Sequence, residues 1–141
     1  HDIGKAIDRA TQHIYTLSLI REFWSESPFT DYELKLVEAL LKDDHLGKFF
    51  QGKYDCNMLQ EEIKKDAEGL QIDASCLLQL KMVLYQCDIA SYTKDAGGLR
   101  YLEHMFVYEN NKKTFNEENG LLAMSADYWS RYKQLKSLIY E

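Results

Sequence analysis

With 141 residues, 45% hydrophobic and 28% charged, the chain suits a single domain with a sizeable core and carries no disorder signature. A net charge of −6 without any run of Lys or Arg argues against a domain built to grip phosphate backbones, so no nucleic-acid partner is expected. One Pro and seven Gly, set against many Leu, Lys, Glu and Ala, favour an all-α chain over a sandwich or barrel.

In chain order, the opening HDIGKAIDRA places a His beside an Asp, then a Gly and a Lys, a combination that looks like a metal and phosphate site. A first helix is predicted from about Thr11 to Trp24, with Ile14, Leu17, Ile20 and Phe23/Trp24 at helical spacing. Pro28 in SESPFT disfavours helix in the residue before it. At TDYE, Thr30 and Glu33 have the spacing of a capping box, and the second helix should run along Leu34, Val37, Leu40 and Leu41 to end near Gly47. FFQGKYDCN then reads as a loop, Leu59 to Ala67 as a charged exposed helix and Cys76 to Tyr92 as a strongly amphipathic one. KDAGGLR reads as a turn. Two further helices are expected, from about Leu99 to Tyr108 and from about Ser125 to Tyr140, separated by the turn-rich ENNKK and FNEENG.

No segment approaches the ~20 apolar residues of a membrane span, and no membrane partner is expected. Cys56, Cys76 and Cys87 are odd in number and lack CxxC spacing, which points away from a disulfide framework or structural zinc and toward a reducing cytoplasm. No repeat, low-complexity tract or linker divides residues 1–141, so one domain is expected.

The acids carry the most information. Asp44 follows Val37, Leu40 and Leu41 by seven, four and three residues, which puts it on the apolar face of the predicted second helix. Asp88 follows Leu77, Leu80 and Leu84 in the same way. A carboxylate on a core face needs a cation or a set of donors. Taken with His1 and Asp2, Asp44 suits a divalent cation such as Mn²⁺, Fe²⁺, Mg²⁺ or Zn²⁺. His13, His45 and Asp88 are candidates for a second metal or a substrate contact; Asp43 reads as a surface charge and His104 as structural.

HDIGKA resembles the signature of the HD superfamily of metal-dependent phosphohydrolases, and EALLKDDHLGKFFQGK resembles the segment that supplies the distal metal-binding Asp of that superfamily. VLYQCDIASYTKDAGG is similar to a downstream helix and turn of some bacterial HD proteins, which would bring Asp88 and Tyr92 near the pocket. The resemblance implies an HD-domain-like helical bundle in which His1, Asp2 and Asp44 hold the divalent metal. Lys5 would contact a substrate phosphate, and Asp2 would also orient the attacking water. The superfamily normally adds a His from a helix upstream of the doublet, so the resemblance leaves two readings, a nonfunctional remnant or, favoured by the intact HDxGK and downstream Asp, the C-terminal part of a longer domain lacking its first helices. The implied activity is hydrolysis of a small phosphorylated substrate, a nucleotide or another phosphoester, by metal-activated water.

Two readings compete with this one. The first is a non-catalytic, HD-derived ligand-binding or protein-interaction module, motivated by a surface rich in aromatics around Phe49, Phe50 and Tyr54. The second, a purely structural helical interaction domain, leaves the acids on two apolar faces unexplained. Oligomeric state stays open.

Overall fold

The computed structural model describes residues 2–91, 104–110 and 112–140. A 3-10 turn at Ile3–Ala6 leads into α1 (Gln12–Trp24), followed by α2 (Asp31–Leu41), α3 (His45–Phe50), α4 (Cys56–Leu70) and α5 (Ala74–Ser91). Two small hairpins come next, β1 (Tyr108–Glu109) with β2 (Lys112–Lys113) and β3 (Phe115–Asn116) with β4 (Leu121–Leu122), and α6 (Ala126–Tyr140) closes the described chain. The chain is therefore mainly helical, as its composition predicts.

The core lies where α4, α5 and α6 pack on one another. Helix α4 starts because the Asp55 side chain accepts from the backbone N–H groups of Asn57 and Met58, at 2.9 and 3.0 Å. It buries Cys56, Leu59, Ile63, Ala67 and Leu70, spaced by three or four residues, and stops where Gln71 turns left-handed at φ 57°. Burial of this stripe corrects the expectation of an exposed helix: Glu61, Lys65 and Glu68 face solvent, while Glu62, Lys64 and Asp66 flank the stripe half-buried. From α6, Tyr132, Leu135 and Ile139 meet the stripe, and each such side chain contributes on the order of 1.5–3 kcal/mol.

Helix α5 is central and departs from the expected amphipathic pattern. It buries Leu77, Leu78, Lys81, Met82, Gln86 and Ile89, while Leu80 stays exposed. Gln86 is satisfied because it acts as a strand edge: its amide donates to the Leu122 carbonyl at 2.9 Å and its oxygen accepts from the Leu122 N–H at 2.8 Å. The β hairpins are thereby fastened to α5. They also replace the described part of the helix expected over Leu99 to Tyr108, since β-favouring Phe106, Val107 and Tyr108 run extended or paired and Asn110 turns left-handed at φ 50°. His104 is exposed in a turn, not packed within a helix. Residues 92–103, including Tyr92 and KDAGGLR, lie outside the described residues.

The expected capping box at the start of α2 is present, with the Thr30 N–H donating to Glu33 Oε2 at 2.7 Å and the Glu33 N–H to Thr30 Oγ1 at 3.3 Å. Its end differs: α2 stops at Leu41 and a new helix begins at His45. Asp43 causes the break by accepting the His45 N–H on Oδ1 at 3.1 Å, a side-chain turn that competes with helical pairing.

Phe49 and Phe50, expected in an exposed loop, belong to α3 and are each 3% exposed. Phe50 stacks between Tyr85 and Tyr128, with ring centroids 5.3 and 5.6 Å away. That burial removes the aromatic surface which motivated the non-catalytic module. The exposed apolar side chains lie elsewhere: on α1, Ile14 and Phe23 are 68% and 62% exposed, and Ile3, Phe23, Trp24 and Phe29 border an apolar groove.

Candidate functional site

The amino-terminal turn is positioned by a close backbone approach. The Gly4 N–H donates to the buried Thr16 hydroxyl of α1 at 3.0 Å, and a Cβ at Gly4 would meet the Gln12 carbonyl oxygen at 2.0 Å. Glycine is needed in HDIGK for this contact. The turn then presents Asp2 and Lys5 together, with Lys5 Nζ 2.6 Å from Asp2 Oδ2.

Asp44 reaches the same place from the junction between α2 and α3. It is the N-cap residue of α3, although its carboxylate makes no capping hydrogen bond, and Oδ1 lies so close over Gly47 that a Cβ there would approach it to 2.3 Å. The expectation that Asp44 belongs to the second helix is corrected by the Asp43 turn. His13 comes from α1 and Asp88 from α5. Together Asp2, Lys5, His13, Asp44 and Asp88 line one cleft of about 210 Å³, with Gln12, Asp43, Lys81 and Tyr85 also contributing to its wall. His1 lies outside the described residues.

The electrostatics of the cleft favour a cation. Asp44 keeps solvent access through the open mouth, yet partial burial by the walls pushes its carboxyl above the ordinary carboxylate range; His13 and Lys48 pull it back, and Asp88 and Asp43 push it further. Partial burial likewise raises Asp88, with Asp2 adding to the rise and Lys5 opposing it. His13 Nδ1 lies 3.2 Å from the Leu41 carbonyl oxygen. Because a carbonyl can only accept, Nδ1 carries the proton and a neutral ring keeps its Nε2 lone pair, the arrangement common to metal-binding histidines.

The donors fit a hard divalent cation in kind, as carboxylate oxygens with one imidazole. In spacing they fall short of a closed set. Among the described residues, the His/Cys/Asp/Glu trio whose donor atoms all lie within 4.8 Å of one another is Asp43, His45 and Glu62. His45 therefore leaves the cleft set: its Nδ1 turns to Glu62 Oε2 at 2.8 Å. Asp43 is no surface charge either. Its side chain is 18% exposed, bordering the cleft on one side and the His45 group on the other.

Lys81 escaped the sequence reading, although it follows Leu77 and Leu78 by four and three residues, the same test that singled out Asp44 and Asp88. It is 8% exposed and donates to the Ala39 carbonyl at 2.6 Å; burial pulls its amine below the usual range, against the opposing pull of Asp43 and Asp66. Glu62 carried only part of the same signal, three residues after Leu59. The described Cys56, Cys76 and Cys87 are free thiols. Among the described residues no helix is long and apolar enough to cross a membrane.

Comparisons of the chain with protein-family profiles, with curated proteins and with solved structures find no match.

Proposed function

We propose that the cleft is the substrate site of an HD-type metal-dependent phosphohydrolase acting on a nucleotide or another small phosphoester. One observation carries this reading: Asp2, Lys5, His13, Asp44 and Asp88, far apart in sequence, line the same cleft. A purely structural role would not require three carboxylates, two of them raised by partial burial and by neighbouring carboxylates, around an open cavity.

Asp2 and Asp44 would hold the cation, with His1 as the imidazole the HD resemblance assigns and His13 and Asp88 as further donors. The chemistry such a cation supplies is polarisation of a phosphoryl oxygen and activation of water near neutral pH. The chain's own groups bind and orient. Lys5 offers an ammonium to a phosphoryl oxygen, and Asp2 fixes that ammonium at 2.6 Å so that its position does not depend on substrate. Leu41, through its carbonyl, fixes the tautomer of His13.

The test is release of inorganic phosphate from nucleotides and phosphomonoesters by the protein loaded with Mn²⁺, compared with Asp44→Asn. Loss of one donor should lower turnover by about 100-fold or more, beyond the 10–100-fold typical of groups that merely support a ligand. Unchanged turnover in a folded Asp44→Asn variant, or no hydrolysis of any phosphoester tried, rejects the proposal.

A further inference from the structure

We infer that Asp43, His45 and Glu62 form a second divalent-cation site, of Zn²⁺ type, which shares Asp43 with the wall of the cleft. The three residues come from the break after α2, the first turn of α3 and the middle of α4, and their side chains are 18%, 28% and 33% exposed. What distinguishes them from an ordinary ion pair is the way each carboxylate divides its oxygens. Asp43 Oδ1 accepts the His45 backbone N–H at 3.1 Å, leaving Oδ2 to face the imidazole. Glu62 Oε1 accepts the Tyr54 hydroxyl, leaving Oε2 to face the same nitrogen.

Three donor atoms therefore lie together, all within 4.8 Å of one another: Asp43 Oδ2, Glu62 Oε2 and His45 Nδ1. Nδ1 is 3.7 Å from the first and 2.8 Å from the second. Tetrahedral bonds of ~2.0–2.1 Å to zinc set donor atoms about 3.3 Å apart, so the two observed separations bracket the required one. A cation would take the place of the proton that His45 otherwise shares with the carboxylates.

The surroundings supply the orientation that metal ligands need. Tyr54 stacks on the His45 ring, with centroids 4.2 Å apart and planes inclined by 11°, and its hydroxyl steers Glu62. One aromatic side chain thus aligns two of the three ligands. The neighbouring lysines make their short contacts elsewhere, although Lys42 also approaches the donor oxygen Asp43 Oδ2 and Lys81 feels the charges of Asp43 and Glu62. Lys42 lies 2.6–2.7 Å from the two Asp66 oxygens and 4.0 Å from Asp43, while Lys81 donates to the Ala39 carbonyl. Partial exposure leaves water to complete the coordination shell. Because Asp43 also borders the cleft, an ion here would brace the chain segment that carries Asp44.

The site is tested by nitrogen NMR of isotope-labelled histidine in the intact protein titrated with Zn²⁺, together with Co²⁺ absorption spectra of the wild type, His45→Gln, Glu62→Gln and Asp44→Asn. We expect Zn²⁺ to move the Nδ1 resonance of His45 at constant pH. A Co²⁺ equivalent should weaken by more than about 100-fold in His45→Gln and Glu62→Gln while surviving in Asp44→Asn. Glu62→Gln keeps an acceptor for Tyr54, which separates a lost ligand from a lost fold. A His45 Nδ1 signal that answers to pH but not to Zn²⁺, or equal Co²⁺ binding in wild type and both site variants, overturns the inference. The reading of the cleft stands or falls separately, with phosphate release.

Discussion

At the scale of single residues, two glycines show how the same substitution should produce opposite kinds of damage. A Cβ at Gly47 would meet Asp44 Oδ1 at 2.3 Å and Tyr85 Cε2 at 3.2 Å. The atom in the way is the tip of a side chain at an open cleft, so Gly47→Ala can be relieved by swinging the carboxylate aside. The helix gains from alanine what glycine withholds in backbone entropy. Gly47→Ala should therefore melt within a few degrees of the wild type yet bind Mn²⁺ and turn over phosphoesters at least about 10-fold less well, the scale set by displaced supporting groups. Thermal melts and phosphate release measured on the same sample check this, and full activity would mean that the position of Asp44 is immaterial. The spacing argument did not hold at this residue: Asp44 lies beyond the end of α2 and is exposed, because Asp43 breaks the helix, so the period from Leu40 and Leu41 does not reach it, and its place in the cleft comes from the turn that the period could not show.

At the scale of elements, the contrast is Gly4, where an added Cβ would strike the Gln12 carbonyl oxygen at 2.0 Å and Thr16 Oγ1 at 2.7 Å. Backbone cannot swing aside, so the 3-10 turn must lift off α1 and break the hydrogen bond from the Gly4 N–H to Thr16. Gly4→Ala should destabilise by about 1–3 kcal/mol through overpacking, seen as a lower urea midpoint, and should displace Asp2 and Lys5 together. A variant as stable as the wild type would show that the turn is not held by this contact. Among the elements, α1, the start of α2 and α6 were legible, because periodicity and capping chemistry act locally. The inward faces of α4 and α5 were harder to see: in α5 the buried stripe includes Lys81 and Gln86, while the apolar Leu80 and Val83 lie on the exposed face, so residue type does not mark which side packs against α4 and α6. The hairpins were missed for a related reason, since strands of two residues are too short to show a period and are held by Gln86 from a distant helix.

At the scale of the whole molecule, the cleft should make the folded chain less stable than its core alone would allow, and pH should reveal it. Asp44 and Asp88 both have raised carboxyl pKa values in the fold, chiefly from partial burial. A group of this kind binds its proton more tightly when folded than when unfolded, so its favourable contribution is complete below the ordinary Asp value of about 3.9 and is lost as pH rises through the folded value. Once the pH lies above their folded values both groups are charged, and the fold bears their partial desolvation and the repulsion among the carboxylates of the cleft. Replacing Asp44 with the isosteric Asn removes one charge, so the metal-free Asp44→Asn protein should unfold at higher urea than the wild type at neutral pH. The gap should close as the pH falls below the ordinary carboxylate range. Urea titrations in the presence of a chelator, repeated across that range, measure it. A divalent cation bound in the cleft should narrow the same gap from the other side by stabilising the wild type, by about 2.7 kcal/mol at a hundredfold excess over its dissociation constant. The comparison is best made in a Glu62→Gln background, so that an ion at the second site does not contribute. If Asp44→Asn is instead less stable at neutral pH, its carboxylate is satisfied within the fold, and the argument that these acids await a cation fails with it.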